Sequence, residues 1–321
     1  MYSLSNKNIL ITGACGLIGS AIVELILHSY PDCQVFALTR NIQQAEKRFK
    51  NNINSNRLHL IVGDVNKPMY GDEIYHFIIN AASNANPKAF SCNPVGTFWT
   101  NINGTKNLLD YGMRHGMERF LYVSSGEVYG EGGKVWAEAD SGYVNPMTIR
   151  SCYPTSKRAA ETLCTAYAQQ YGIDIVVARP CHTYGPFYTE QDSRAYAQFV
   201  RNAIEGQDIV MKSLGEQFRS WLYVEDCAAA ILAILEKGAS GEAYNVADEH
   251  SCVTIREFAE AIADITGVKV IFDVPSEAER KGFTPIQTAL FDTSKIKALG
   301  WLPQYTFREA IRRTIEQQKN K

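Results

Sequence analysis

Between Asn8 and Arg179, short apolar runs alternate with longer stretches whose apolar residues recur at helical spacing. Asn8–Thr12, Val35–Leu38, Leu58–Val62, His76–Asn80, Phe120–Ser124 and Ile173–Ala178 read as strands apolar on both faces, the pattern of a sheet covered on both sides. Between them Leu17–Leu27, Asn101–His115 and Ser156–Tyr171 repeat like helices. Right-handed crossovers wind such units into an α/β fold with a doubly wound parallel sheet. Beyond Pro180 the rhythm changes to a loop rich in Gly, Pro and Tyr, short strands, and helices near Ala195–Glu205, Glu225–Lys237 and Ile255–Thr266. We therefore expect a first lobe over 1–180 and a smaller α+β lobe over 181–321, some of whose segments return to the first sheet.

The first strand runs directly into a glycine turn, with Gly13, Gly16 and Gly19 spaced three apart ahead of the first helix. A strand–glycine–helix junction exposes bare amides and the positive end of the helix dipole, which suits a pyrophosphate. A tight turn without a ligand would also use glycine. In this position the motif points to a Rossmann-type dinucleotide site. About twenty residues on, the second strand ends in Thr39-Arg40-Asn41 without a carboxylate. An acid there would bond the ribose hydroxyls of NAD, whereas Arg40 can pair with the 2′-phosphate of NADP. Arg40 can equally stack on adenine or face solvent, so the cofactor is NAD or NADP, with this residue favouring NADP.

Tyr153 and Lys157 stand four apart on one helix face. An ammonium beside a phenol, with a positive nicotinamide near, favours phenolate and makes a base of a group whose reference pKa is about 10. Ser124-Ser125-Gly126-Glu127-Val128-Tyr129-Gly130 leaves the fifth strand.

These motifs together resemble the extended short-chain dehydrogenase/reductase superfamily, the NAD(P)-dependent nucleotide-sugar epimerases, dehydratases and decarboxylases. The likeness runs along almost the whole chain, through Asn101-Ile-Asn-Gly-Thr105, Arg179-Pro-Cys-His-Thr-Tyr-Gly185, Arg219-Ser-Trp-Leu-Tyr-Val-Glu-Asp226 and Asp292-Thr-Ser-Lys295. It implies that Asp64 contacts the adenine and that Ala81 and Ala82 form the loop after the fourth strand. It implies also that Ser125 holds the substrate oxygen while Tyr153 takes the sugar C4-hydroxyl proton and hydride leaves C4, giving a 4-keto intermediate. Lys157 would bind the nicotinamide ribose and steady the phenolate. Arg219 would pair with the substrate diphosphate, or else with Asp226 or Glu225. His182 stands where the family has Asn beside the substrate. A homodimer through the 101–115 and 156–171 helices is also implied, with Leu163 and Tyr167 on the outer faces.

The loop after Ser125 separates the family's chemistries. The dehydratases carry an acid where this chain has Gly126, and glycine donates no proton; Glu127 retains a carboxylate in reach of C5. The segment Asn145–Leu163 is nearest to the UDP-glucuronate decarboxylases, but their Arg-Lys-Pro before the C-terminal signature is here Ala289-Leu-Phe291. An unpaired substrate carboxylate is costly, which would leave Arg150 as a substitute cation. The enzyme readings are thus an epimerase or dehydratase, a decarboxylase using Arg150, and an NADPH-dependent 4-ketosugar reductase. Glu127 is expected to act at C5, or to order its loop by accepting backbone hydrogen bonds. A non-catalytic nucleotide-binding scaffold is the reading from another class, and the intact Ser125/Tyr153/Lys157 set argues against it.

Composition narrows partners and compartment. With 32 basic and 34 acidic residues in 321, the chain has no general pull toward nucleic acid or anionic membrane. The eight cysteines show no C-x-x-C pair and no zinc-ligand spacing with histidine, so we expect reduced, mostly buried thiols and no metal site. No secretory leader or apolar span is visible, and the cytoplasm is the default location.

Overall fold

The structure, a computed structural model, describes residues 1–133, 135–274 and 286–320. Seven parallel strands form the main sheet: β1 (Asn8–Thr12), β2 (Gln34–Thr39), β3 (Leu58–Val62), β4 (Phe77–Asn80), β5 (Arg119–Val123), β7 (Ile175–Pro180) and β11 (Ala243–Val246). Their order is β11-β7-β5-β4-β1-β2-β3, so the direction of winding reverses between β1 and β4. Such a switch point opens a crevice beyond the carboxyl ends of the strands.

The continuous apolar runs are divided residue by residue between two cores. Ile9, Ile11, Phe77, Ile79, Leu121 and Val123 join one cluster, while Leu10, Ile78, Phe120 and Tyr122 join the other. This is the period-2 alternation of a strand, apolar in both phases because both faces are covered. Helices α1 (Leu17–Ser29) and α7 (Val224–Lys237) supply the first cover. Helices α4 (Pro94–Arg114) and α5 (Cys152–Tyr171) supply the second. In chain order α2 (Ile42–Arg48) and α3 (Pro87–Cys92) fall between α1 and α4.

Chain order and lobe do not coincide. α7 and β11 lie beyond residue 180 yet belong to the main sheet, with Ala243 paired to Val177 and Val246 to Pro180. Conversely β6 (Val135–Trp136) joins the smaller sheet, of order β12-β10-β14-β6 with β8 beside β10. Its other strands are β8 (His182–Tyr184), β10 (Phe218–Tyr223), β12 (Cys252–Thr254) and β14 (Thr288–Phe291). The smaller lobe is completed by the pair β9 (Ile209–Met211) and β13 (Val270–Phe272) and by helices α6 (Ala195–Ile204), α8 (Ile255–Thr266) and α10 (Phe307–Lys319), while α9 (Ser294–Lys297) packs against β11 of the main sheet.

Two helices begin earlier than apolar spacing indicated. α4 starts at Pro94 rather than Asn101, because Asn93 caps it by accepting from the Gly96 amide at 3.0 Å and Pro94 occupies the first turn. α5 starts at Cys152, since Pro154 costs nothing in a first turn whose amides lack helical acceptors. Both first turns contain proline, which apolar spacing read as a break rather than a start. The cysteines are also less buried than expected: Cys33, Cys164 and Cys227 are buried, Cys15, Cys152, Cys181 and Cys252 half-buried, Cys92 exposed, and all eight are free thiols. Among the described residues no helix is long and apolar enough to cross a membrane.

Candidate active site

The glycine turn occupies the switch point. Gly13 adopts φ +64°, and a Cβ there would lie 2.5 Å from the Ala81 carbonyl oxygen and 2.9 Å from Ala82 Cα. A side chain at Gly19 would collide with the Gly13 carbonyl, which packs the first turn of α1 against the loop. Below the turn a buried polar chain fixes the strand ends. Thr12 Oγ1 donates to Asn80 Oδ1 at 2.8 Å, Asn80 Nδ2 donates to Thr105 Oγ1 at 3.0 Å, and Thr105 Oγ1 donates to the Asn101 carbonyl at 2.6 Å.

A cavity of about 380 Å³ opens over this turn. Its lining includes Gly13, Gly16, Gly19, Arg40, Asp64, Ala81 and Ala82, so every residue proposed for the dinucleotide apart from Lys157 borders one space. The cradle admits no Cβ at Gly13 or Gly19, and its open amides at the α1 N-terminus fit a pyrophosphate. Arg40 is exposed at the rim, and Asp64 is held in a turn by the Asn66 amide at 2.9 Å. The far wall is made by Asp192 and Arg194, which sequence reading did not single out. Buried Asp192 clamps the Arg194 guanidinium with contacts of 2.9 Å to Nε and 2.5 Å to Nη2.

Tyr153 and Lys157 are both buried on the inner face of α5. The Tyr153 ring stacks on Phe90 of α3, centroids 4.7 Å apart. Lys157 Nζ lies 5.8 Å from the Tyr153 ring centroid and donates to the Val123 carbonyl at 2.7 Å. Helix α5 is pinned to the cavity wall because Ser156 Oγ accepts from Asn101 Nδ2 at 2.8 Å while Asn101 Oδ1 accepts from Ser83 Oγ at 2.8 Å.

The electrostatics of the protein alone run opposite to the expectation for Tyr153. Burial pushes its phenol up to about 12, Glu127 adds to the rise, and a hydrogen bond with Ser125 and the charges of Arg194 and Arg150 oppose it. Burial likewise brings the Lys157 ammonium down to about 7 against the pull of Glu161. Both shifts have one cause: desolvation disfavours whichever form is charged, so phenol and amine are each driven toward neutrality.

Ser125 caps the short 3-10 turn Gly126–Tyr129, its hydroxyl accepting from the Glu127 amide at 3.2 Å. Among the described residues no backbone amide donates to the Glu127 carboxylate. Its carboxylate is gripped by Arg150, with Oε1 accepting at 3.0 Å and Oε2 lying 2.9 Å from Nη1. Arg219 is buried and pairs with neither Asp226 nor Glu225. Asp226 accepts from the Gln304 amide at 2.8 Å, and Glu225 pairs with Arg313 at 3.1 Å. Arg219 donates instead to the Phe218 and Ile286 carbonyls, and burial lowers it to about 10 while Glu127 raises it. Among the described residues the buried Nδ1 of His182 on β8 has no partner. Burial and the charges of Arg219, Arg150 and Arg194 bring its pKa down to about 3, so it is a neutral ring facing cations.

A dinucleotide cradle, a Ser125/Tyr153/Lys157 set with its tyrosine and lysine buried, and an arginine-rich wall mark an NAD(P)-dependent enzyme of the class that modifies nucleotide-linked sugars. The chain belongs to the NAD dependent epimerase/dehydratase family, whose model matches residues 9–247. Among similar sequences, UDP-glucuronic acid decarboxylase 6 of Arabidopsis thaliana is 33% identical over 96% of this chain and 87% of its own length. UDP-glucuronic acid decarboxylase 1 of Xenopus tropicalis is 34% identical over 96% of this chain and 71% of its own. Among solved structures, a double mutant of the dTDP-glucose 4,6-dehydratase of Streptomyces venezuelae with NAD bound matches at TM-score 0.81 and 25% identity, covering 96% of each chain. The fold is shared also with a UDP-glucuronic acid 4-epimerase of Bacillus cereus, at TM-score 0.84 and 20% identity over 98% of this chain and 99% of that one.

Proposed function

We propose that this enzyme oxidises the C4 carbinol of a nucleoside-diphosphate sugar and completes its reaction through the 4-keto form. The observation that carries the reading is the convergence of Ser125 and Tyr153 beside a glycine cradle on one side and Glu127, Arg150, Arg219 and His182 on the other. The main-sheet lobe, built mostly from residues 1–180, holds the dinucleotide with Asp192 and Arg194 closing its far wall, and the smaller lobe mainly holds the sugar nucleotide. When bound at the glycine cradle, an oxidised dinucleotide would supply the hydride acceptor and a positive charge. Ser125 orients the carbinol oxygen and Tyr153 removes its proton. Arg219 and Arg194 face the diphosphate, and the orphaned His182 Nδ1 takes a hydrogen bond from the substrate. Incubation with UDP-, dTDP-, GDP- and CDP-sugars, read by mass spectrometry, tests the reading. Turnover of none of them counts against it.

Glu127 is assigned to the carbon next to C4, where a 4-keto group acidifies C–H. Its pairing with Arg150 keeps the carboxylate beside the site and lets the same arginine meet a substrate carboxylate. Glu127→Gln is expected to leave the first oxidation intact and block the later step, so that reduced nicotinamide accumulates by absorbance. Normal turnover without deuterium exchange at C5 in heavy water removes the assignment.

The cofactor preference is assigned to NADP through Arg40, which stands exposed at the cavity rim beside Asn41 and Gln44. This composition also supports the reductase reading. Arg40→Ala is expected to weaken NADP about tenfold or more and NAD little, as loss of one charge-assisted contact predicts. Equal effects on both in titration calorimetry reject the preference.

A homodimer through α4 and α5 is retained with a different surface. Tyr167 is buried, donating to Asp110 Oδ1 at 2.6 Å, and Leu163 packs partly buried in the same core. The apolar side chains left outside are Val95, Trp99 and Met113 on α4 and Tyr171 on α5. Light scattering is expected to give twice the chain mass. The eight free thiols fit the cytoplasm.

A further inference from the structure

Gly126 directly follows Ser125, so a side chain there would stand beside the carbinol that Ser125 and Tyr153 address. Its backbone does not need glycine, for Gly126 is not among the residues of positive φ. What excludes a side chain is space. A Cβ at Gly126 would lie 2.7 Å from Phe291 Cε1 and closer still to Cζ. Phe291 belongs to the other lobe, at the end of β14, and cannot easily withdraw. It pairs with Trp136 of β6, and the next amide, Asp292 N, donates to the Trp136 carbonyl at 2.9 Å. Asn245 Nδ2 donates both to the Trp136 carbonyl at 2.9 Å and to the Asp292 carbonyl at 3.1 Å. The Phe291 ring packs at 5.8 Å against Tyr129, which stacks on Trp136 at 5.3 Å. Buried with Val128, Tyr129, Trp136, Ala247 and Ala289, it forms a separate small core under the Ser125 loop.

We infer that Phe291 is a specificity-determining residue: by filling the space at position 126 it bars any acid from that side of the carbinol and commits the enzyme to a reaction that expels no hydroxyl. Glu127 is then the ionisable side chain this loop offers, and it is held by Arg150 rather than free to protonate a leaving group. The inference rests on the C4 reading above for what the position faces, but the steric closure stands independently of it.

A double-mutant cycle separates the two. Gly126→Ala adds one methyl group, and Phe291→Leu removes the ring tip it would strike. Overpacking predicts that Gly126→Ala lowers Tm by about 2–5 °C in the wild-type background and by about 1 °C or less beside Phe291→Leu. An unchanged Tm for Gly126→Ala, or equal losses in both backgrounds, overturns the closure without requiring any substrate. In the nucleotide-sugar screen the wild type is expected to yield no product lighter by one water. Such a product overturns the commitment even if the cycle behaves as expected. If no sugar is turned over while the cycle shows coupling, the C4 reading fails and the commitment with it, while the closure stands.

Discussion

Tyr153→Phe is expected to lower kcat by about 10³-fold, within the 10²–10⁴ range of a lost acid–base group, while dinucleotide affinity stays unchanged. The substitution deletes one hydroxyl. The ring stacked on Phe90 is retained, as is the glycine cradle, whose walls Tyr153 does not form. In the free protein burial pushes the phenol up to about 12, so the wild-type rate is expected to rise with pH until the base titrates in the complex. The Phe variant loses that rising limb. Stopped-flow turnover across pH, with calorimetric titration of the dinucleotide, measures both. Near wild-type turnover would remove Tyr153 from the mechanism.

Lys157→Met should damage rate and cofactor binding together, the rate by about 10²-fold and the Kd by about ten- to a hundredfold, as one charge-assisted hydrogen bond commands about 1.5–3 kcal/mol. It should also alter stability in a way that a merely structural lysine would not. The folded ammonium titrates at about 7 because burial disfavours its charge, against an ordinary 10.5. Between those values the unfolded chain binds more protons than the folded one, so the wild type gains stability as pH rises through the window. Methionine has no such slope. The Tm of the variant relative to wild type is therefore expected to be highest below pH 7 and to fall as pH rises toward 10.5, the orphaned Val123 carbonyl adding a constant cost. A pH-independent difference would mean that Lys157 is not desolvated as described.

Much of the site was legible because its chemistry depends on local spacing. Glycines three apart place bare amides at one helix end, and a tyrosine four residues before a lysine shares its helix face. Arg194 and Asp192 were not legible, since an i, i+2 pair in a loop has no periodic signal and becomes a cavity wall only when the second lobe folds against the first. Phe90 was hidden similarly, although Asn86-Pro87 is a helix-start signal that would have found α3. The outward role expected of Tyr167 failed because helical spacing gives the angle between side chains but not which angle meets the sheet.

The sequence by itself determined the α/β winding and named the glycine turn and the Ser125/Tyr153/Lys157 candidates, because propensity, turn chemistry and side-chain period act over a few residues. Only the tertiary structure decided that Glu127 answers to Arg150, that Arg219 has no acid partner among Glu225 and Asp226, and that Phe291 closes position 126. Those contacts join residues 23 apart, or in the last case residues 126 and 291, across two lobes. Desolvation and steric exclusion depend on what the whole chain packs around a group, and no local pattern records it.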